Sequence, residues 1–187
     1  MKLQIPMRDG ARLSVQVHGR GRPVVLLHGF GSCGSHWLPN VLPLARRYRF
    51  VLPDLRGFGD SHDVGFDGAD VFATYASDVE DVLDHLGLET VILGGVSMGA
   101  YTALKLNERG SFHRVAKYVH IDQSSRLRND AAWRHGVFGE DQDRMFDAFR
   151  GVLSLAQRAG LDTEYWNLPP DVRLGMRRAT AMRGARE

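Results

Sequence analysis

Ser97 stands in Val91-Ile92-Leu93-Gly94-Gly95-Val96-Ser97-Met98-Gly99-Ala100, an apolar run that passes through Gly-x-Ser-x-Gly into a helical pattern. The pattern reads as a nucleophile elbow, a tight turn between a buried strand and a helix. Such a turn holds its serine in a strained backbone conformation and lifts the hydroxyl above the end of the sheet. Any side chain two residues before or after the serine would press on the turn, and Gly95 and Gly99 leave that room. A serine at a helix N-terminus also has backbone N–H groups and the positive end of the helix dipole beside it, both suited to a developing oxyanion. The bare pentapeptide arises by chance in about one chain in ten of this length. Its meaning comes from the strand signal before it and the helix signal after it.

The elements that must hold this turn alternate along the chain. Residues 2–7 and 12–18 read as short strands around the turn signal Arg8-Asp9-Gly10, which predicts an antiparallel hairpin. Pro23-Val24-Val25-Leu26-Leu27 is a continuous apolar run, the mark of a buried parallel strand, and it ends in His28-Gly29-Phe30-Gly31. A helix is expected over 36–47, with Pro39 and Pro43 in its irregular first turns. Phe50-Val51-Leu52 is the next strand and runs into Asp54-Leu55-Arg56-Gly57-Phe58-Gly59-Asp60-Ser61. Thr74 can cap a helix whose apolar stripe is Tyr75, Val79, Val82, Leu83 and Leu86, ended by Gly87. A helix from Met98 to about Arg109 follows the elbow, and Ala116 to Ile121 forms a sixth, apolar strand ending at Asp122.

Strands and helices in this rhythm predict a mostly parallel α/β sheet with the antiparallel hairpin at its edge. Function then belongs at the carboxyl ends of the strands, where the loops 28–31 and 54–61, Ser97 and Asp122 all fall. From about Arg126 the strand rhythm stops, and residues 130–138, 140–158 and 171–183 read as helical. Trp133, Phe138, Phe146, Phe149, Tyr165 and Trp166 concentrate aromatic surface in that region, as the interior of a helical subdomain or the roof of an apolar pocket.

With 187 residues, 43% hydrophobic and 25% charged, the composition is that of one ordinary globular domain. A formal net charge of +2 carries no nucleic-acid footprint. The single cysteine, Cys33, excludes an intramolecular disulfide and makes a cytoplasmic location the default expectation. No segment approaches the ~20 apolar residues needed to cross a bilayer, so no membrane partner is expected.

Taken in order, His28-Gly29-Phe30-Gly31, the Asp54-x-Arg56-Gly57-x-Gly59-x-Ser61 loop and the Gly95-x-Ser97-x-Gly99 elbow resemble the α/β-hydrolase fold superfamily. The resemblance implies a hydrolase core over 1–125 and a helical cap or lid over 126–187. Ser97 would be the nucleophile, and the backbone N–H groups of Phe30 and Met98 would form the oxyanion hole. His28 would shape the oxyanion loop, and Asp54 would pair with Arg56 to brace its turn. Serine at 97 argues against the branches that use an aspartate nucleophile on epoxides or haloalkanes.

In this family the acid commonly follows the seventh strand and the histidine the eighth, and no strand signal occurs between Ser124 and Glu187. The expectation is therefore a chain in which the last two strands are missing, along with the base. Asp122 is a candidate acid at the end of the sixth strand, and His135 a candidate base from the cap. The activity implied is cleavage of a small apolar ester, lactone or related carbonyl substrate through an acyl-enzyme, with no cofactor and no metal. Carbon–carbon bond hydrolysis, perhydrolysis and a non-catalytic binding module remain open. An unpaired sixth strand would also invite self-association through the sheet edge.

Overall fold

The computed structural model describes residues 1–66, 70–126, 128–136 and 144. Its chain falls into two compact units, 1–123 and 124–187.

The first unit is built on six strands, β1 (Lys2–Pro6), β2 (Arg12–Gly19), β3 (Arg22–Leu27), β4 (Tyr48–Pro53), β5 (Val91–Val96) and β6 (Val115–Ile121). They lie in the order β1-β2-β4-β3-β5-β6. β1 and β2 form the expected hairpin, and β2 also pairs antiparallel with β4. From β4 through β3 and β5 to β6 every pairing is parallel. The apolar runs of β3, β4 and β5 fill the centre, with Val25, Leu27, Val51, Leu52 and Leu93 all at most 1% exposed. This inner position is what a non-alternating run requires. β6 differs from its sequence reading. Five of its seven residues are exposed, among them Val119 and Ile121, because it is the outermost strand of the described sheet.

Three helical stretches connect the strands. The helix expected over 36–47 is broken into a 3₁₀ turn over Gly34–Trp37, the single α-turn α1 (Leu38–Val41) and a second 3₁₀ turn over Leu42–Leu44. Pro39 and Pro43 each sit in the first positions of a new segment, since neither can donate the N–H that would continue the preceding one. Val41 still seals one sheet face, against Val24, Phe50 and Leu52.

α2 (Val71–His85) starts earlier than Thr74 would have it. Asp70 is the cap, accepting from Ala73 N–H at 2.9 Å and placing its negative charge at the positive helix end. Tyr75, Val79, Val82 and Leu83 are buried as expected, and Gly87, at φ +62°, follows the helix end. α3 (Met98–Glu108) packs on β5 and on α2, and left-handed Gly110 follows it. No helix among the described residues is long and apolar enough to cross a membrane.

In the second unit, residues 130–136 are not the start of a helix. Asp130 and Trp133 form an isolated antiparallel bridge instead. The Asp130 carboxylate accepts from Ala132 N–H at 2.8 Å and Asn129 Oδ1 accepts from Gly136 N–H at 2.7 Å. These short side chains offer the backbone an alternative to the helical ladder. Of the helices expected over 140–158 and 171–183 only Arg144 is among the described residues, and it is helical; Phe138, Phe146, Phe149, Tyr165 and Trp166 lie outside them.

Candidate active site

Ser97 occupies the junction of β5 and α3 with φ 51° and ψ −115°. Only two described residues other than glycine have positive φ, Ser97 and Asp122. For a residue with a side chain this conformation costs on the order of 1–3 kcal/mol, and it persists because the surroundings fix it. The Ser97 N–H donates to Ile121 O at 3.0 Å, tying the turn to the end of β6.

Close packing fixes the rest. A Cβ on Gly95 would stand 2.5 Å from the Gly99 backbone, and one on Gly99 would stand 2.4 Å from Leu27 O and 2.7 Å from His28 O. The first glycine therefore makes room inside the turn. The second lets α3 rest against the end of β3, a contact that sequence spacing alone does not reveal.

The loop after β3 adjoins the elbow. A Cβ on Gly29 would lie 3.3 Å from Ser97 Cβ. His28, 1% exposed, holds this loop from beneath. Its Nε2 accepts from Leu55 N–H at 3.0 Å, so Nδ1 carries the proton and donates to Gly29 O at 2.9 Å. Ser32 N–H donates to the same oxygen at 3.2 Å. In a trans peptide C=O and N–H point in opposite directions, so pinning Gly29 O aims the Phe30 N–H away from His28. Met98, the first residue of α3, has an N–H with no acceptor inside the helix. The Phe30 side chain is 53% exposed while Met98 is buried.

Burial pushes the His28 imidazole down to about 4 from its ordinary 6.5. A depressed folded value leaves His28 stability in place above pH 6.5, and the unfolded state gains protons first as pH falls. About 3 kcal/mol is therefore expected to be lost between pH 6.5 and 4. Urea melts at pH 7, 5.5 and 4 measure it. Burial pushes the Asp54 carboxyl up, which acts in the opposite sense, so the comparison is with His28→Gln. A parent and variant with the same acid slope would show that His28 stays out of the titration.

The loop 54–61 is braced as expected, but not by an Asp54–Arg56 pair. Asp54 accepts from Gly34 N–H at 2.7 Å and from Asp60 N–H at 3.1 Å. Arg56 turns the other way, to Asp78 of α2, through two bonds of 2.7 and 2.8 Å, and to Asp9 of the hairpin turn at 2.6 Å. Burial drives the Asp78 carboxyl up and Arg56 pulls it back, while hydrogen bonding to Asp78 raises the guanidinium above its ordinary value. Two short bonds from a group that stays protonated keep the pair charged. Ser61, fully buried, closes the loop by accepting from Ser14 N–H at 2.9 Å.

Sequence reasoning missed Asp78, Asp9 and Phe58. The signal for Asp78 is visible afterwards: it is a carboxylate in the core-facing stripe of α2, between Tyr75 and Val82.

Asp122 is exposed at the end of β6, adjacent to Ile121, which receives the Ser97 N–H. Among the described residues its carboxylate has no hydrogen-bond partner, and none bonds the Ser97 hydroxyl either. No described histidine bonds the Ser97 hydroxyl. His120 is held between Tyr118 and Gln123 O, His113 lies in the turn before β6, and the His135 ring packs edge-on against Trp133.

A family model described as alpha/beta hydrolase fold matches residues 22–170. The chain belongs to the α/β-hydrolase fold family. It is 35% identical over 136 residues to a 3-oxoadipate enol-lactonase 1 of Acinetobacter baylyi, covering 70% of this chain and 48% of the relative. It is 39% identical over 100 residues to a soluble epoxide hydrolase of Corynebacterium, covering 52% of this chain and 33% of the relative.

Among solved structures, an esterase of Exiguobacterium antarcticum matches with a TM-score of 0.70 at 26% identity, over 97% of this chain and 68% of the other. The chain spans about half or less of the length of the enol-lactonase and epoxide hydrolase it matches. Within the α/β-hydrolase fold, the loops after β3 and β4 and the β5–α3 turn all open at the carboxyl end of the parallel strands, where ligands bind in open α/β sheets.

Proposed function

We propose that the protein is a serine hydrolase that cleaves a small apolar ester, lactone or related carbonyl compound through an acyl-enzyme. The observation that carries this reading is Ser97 itself, held at φ 51° beside the β3 loop, where a Cβ on Gly29 would lie 3.3 Å from its own Cβ. Ser97 Oγ gives its proton to the base and forms the bond to the carbonyl carbon, and the electron pair moves to the carbonyl oxygen between the N–H groups of Phe30 and Met98. Collapse breaks the bond to the alkoxy oxygen, which takes the proton from the base, and water, deprotonated in turn by the base, then frees the acid and restores the Ser97 hydroxyl. Asp122 is the candidate acid, and the base comes from outside the residues that bond one another around the elbow.

The relatives include an enol-lactonase and an epoxide hydrolase. Serine rather than aspartate at position 97 favours the carbonyl substrates. A location in the cytoplasm accompanies this reading. A second reading, a binding module that keeps the fold, is favoured by the Ser97 hydroxyl having no hydrogen-bonded base among the described residues.

A fluorophosphonate probe separates the two. One label per chain, on the peptide carrying Ser97, together with turnover of short-chain esters or lactones, is the expected result. A chain that takes no label and turns over none of these substrates, yet binds an apolar ligand, would establish the binding module instead.

A further inference from the structure

Phe58 lies in the loop after β4, is 7% exposed and has no part in the chemistry just described. Its backbone is extended, while the glycines on both sides take positive φ, Gly57 at 77° and Gly59 at 55°. The two glycines differ in what they need. Gly57 has open space around it, so its requirement is conformational, whereas a Cβ on Gly59 would stand 2.6 Å from the Asp54 carboxyl carbon. Phe58 N–H donates to Leu55 O and Ser61 N–H to Phe58 O, so the residue is pinned on both sides. Chain reversal before and after it turns the ring inward.

There the ring meets the residues on either side of Gly29. It stands edge-on to His28, with centroids 5.5 Å apart, and edge-on to Phe30 at 5.4 Å. His28 fixes the oxygen end of the 29–30 peptide, as shown above, and Phe30 carries its N–H. Phe58 touches both supports through its ring. We propose that Phe58 is a positioning residue that holds the 29–30 peptide in the orientation that presents the Phe30 N–H to the oxyanion, acting through the rings of His28 and Phe30. This rests on the serine-hydrolase reading, because only an oxyanion beside Ser97 gives that N–H its task.

A donor used chiefly in the transition state affects kcat and leaves KM almost unchanged when it is displaced. Deleting one oxyanion donor outright costs about 10²–10³ in kcat, and tilting it costs less. Phe58→Leu is therefore expected to lower kcat on a short-chain ester about tenfold or more, with KM within twofold. It should weaken inhibition by a boronic acid, which forms a tetrahedral adduct on Ser97, by a similar factor. Phe58→Tyr, which keeps the ring, should stay within threefold of the parent.

Val82→Ala, in the buried stripe of α2, is the control for stability lost away from the site. Its kcat should match the parent well below its melting temperature. Phe58→Met replaces the leucine variant if that one does not fold. A parent with neither ester turnover nor boronate binding would sink the hydrolase reading itself. An active parent whose Phe58 variants raise KM alone, or lose no more kcat than Val82→Ala, would overturn the role given to Phe58.

Discussion

Ser97→Ala is expected to lower kcat on esters or lactones by about 10⁴-fold or more while leaving the melting temperature where it was. The two halves of this expectation have separate causes. Removing Oγ removes the bond-forming atom, and what remains is the modest rate enhancement from donors and binding. Alanine carries the same Cβ as serine, so the strained backbone at φ 51° and the space kept for that Cβ by Gly29 persist. Ser97→Gly sharpens the test. Glycine adopts this conformation without steric cost, so relief of about 1–3 kcal/mol of strain outweighs the roughly 0.5–1 kcal/mol of added chain entropy. The glycine variant should therefore be inactive and more stable than the parent, a combination that a merely structural serine would not give. Kinetics on both variants beside urea melts measure it. Retention of a tenth of the parent's activity by Ser97→Ala would end the nucleophile assignment.

What could be read in the sequence follows the range of the forces involved. The elbow was legible because its constraints are local: Gly95 and Gly99 are needed within four residues of each other, and an apolar strand and a helix flank them. The central strands were legible for a similar reason, since a continuous apolar run has few places to go but between two neighbours. Pro39 and Pro43 carry the signal for the broken helix, because one helix cannot absorb both: the second proline interrupts what the first starts.

Longer-range pairings were hidden. Asp54 and Arg56 stand two residues apart, yet their side chains leave the loop in different directions. Arg56 finds Asp78 22 residues on, and Asp54 finds a backbone N–H 20 residues back. Which carboxylate an arginine chooses depends on where the sheet places the hairpin turn and α2, information the loop does not contain. Phe58 reads in the sequence as one aromatic residue between two glycines, and its contacts exist only once β3 and β4 are side by side.

The Arg56 cluster also holds the largest expected stability effect. Asp78 is 2% exposed and receives two guanidinium bonds, and the same guanidinium reaches Asp9 and donates to Gly65 O at 3.1 Å. Arg56→Met leaves a buried carboxylate with no counter-charge, a change that costs about 3–5 kcal/mol. For a chain of this size that corresponds to a fall in melting temperature of roughly 10 °C. Activity should fall with it, because the loop that Arg56 ties to α2 is the one that supports His28 through Leu55 N–H.

The pH dependence identifies the cause. Without Arg56, burial and the nearby carboxylates of Asp9 and Asp81 push the Asp78 carboxyl further above its unfolded value, with nothing pulling it back. The penalty is then smallest at low pH, where the group is protonated in both states, and grows as pH rises through the folded pKa. Parent and variant share the titration of His28, so the difference between them reports the two carboxylates that Arg56 touches, buried Asp78 and the more exposed Asp9. Arg56→Met/Asp78→Leu removes both charges and should recover most of the loss, the pair being strongly non-additive. Chemical melts of the parent, both singles and the double at pH 7 and pH 5 provide the numbers. Additive single losses, or an Arg56→Met variant within 1 kcal/mol of the parent, would mean that Asp78 is solvated and that the loop is held by Asp54 and Ser61 alone.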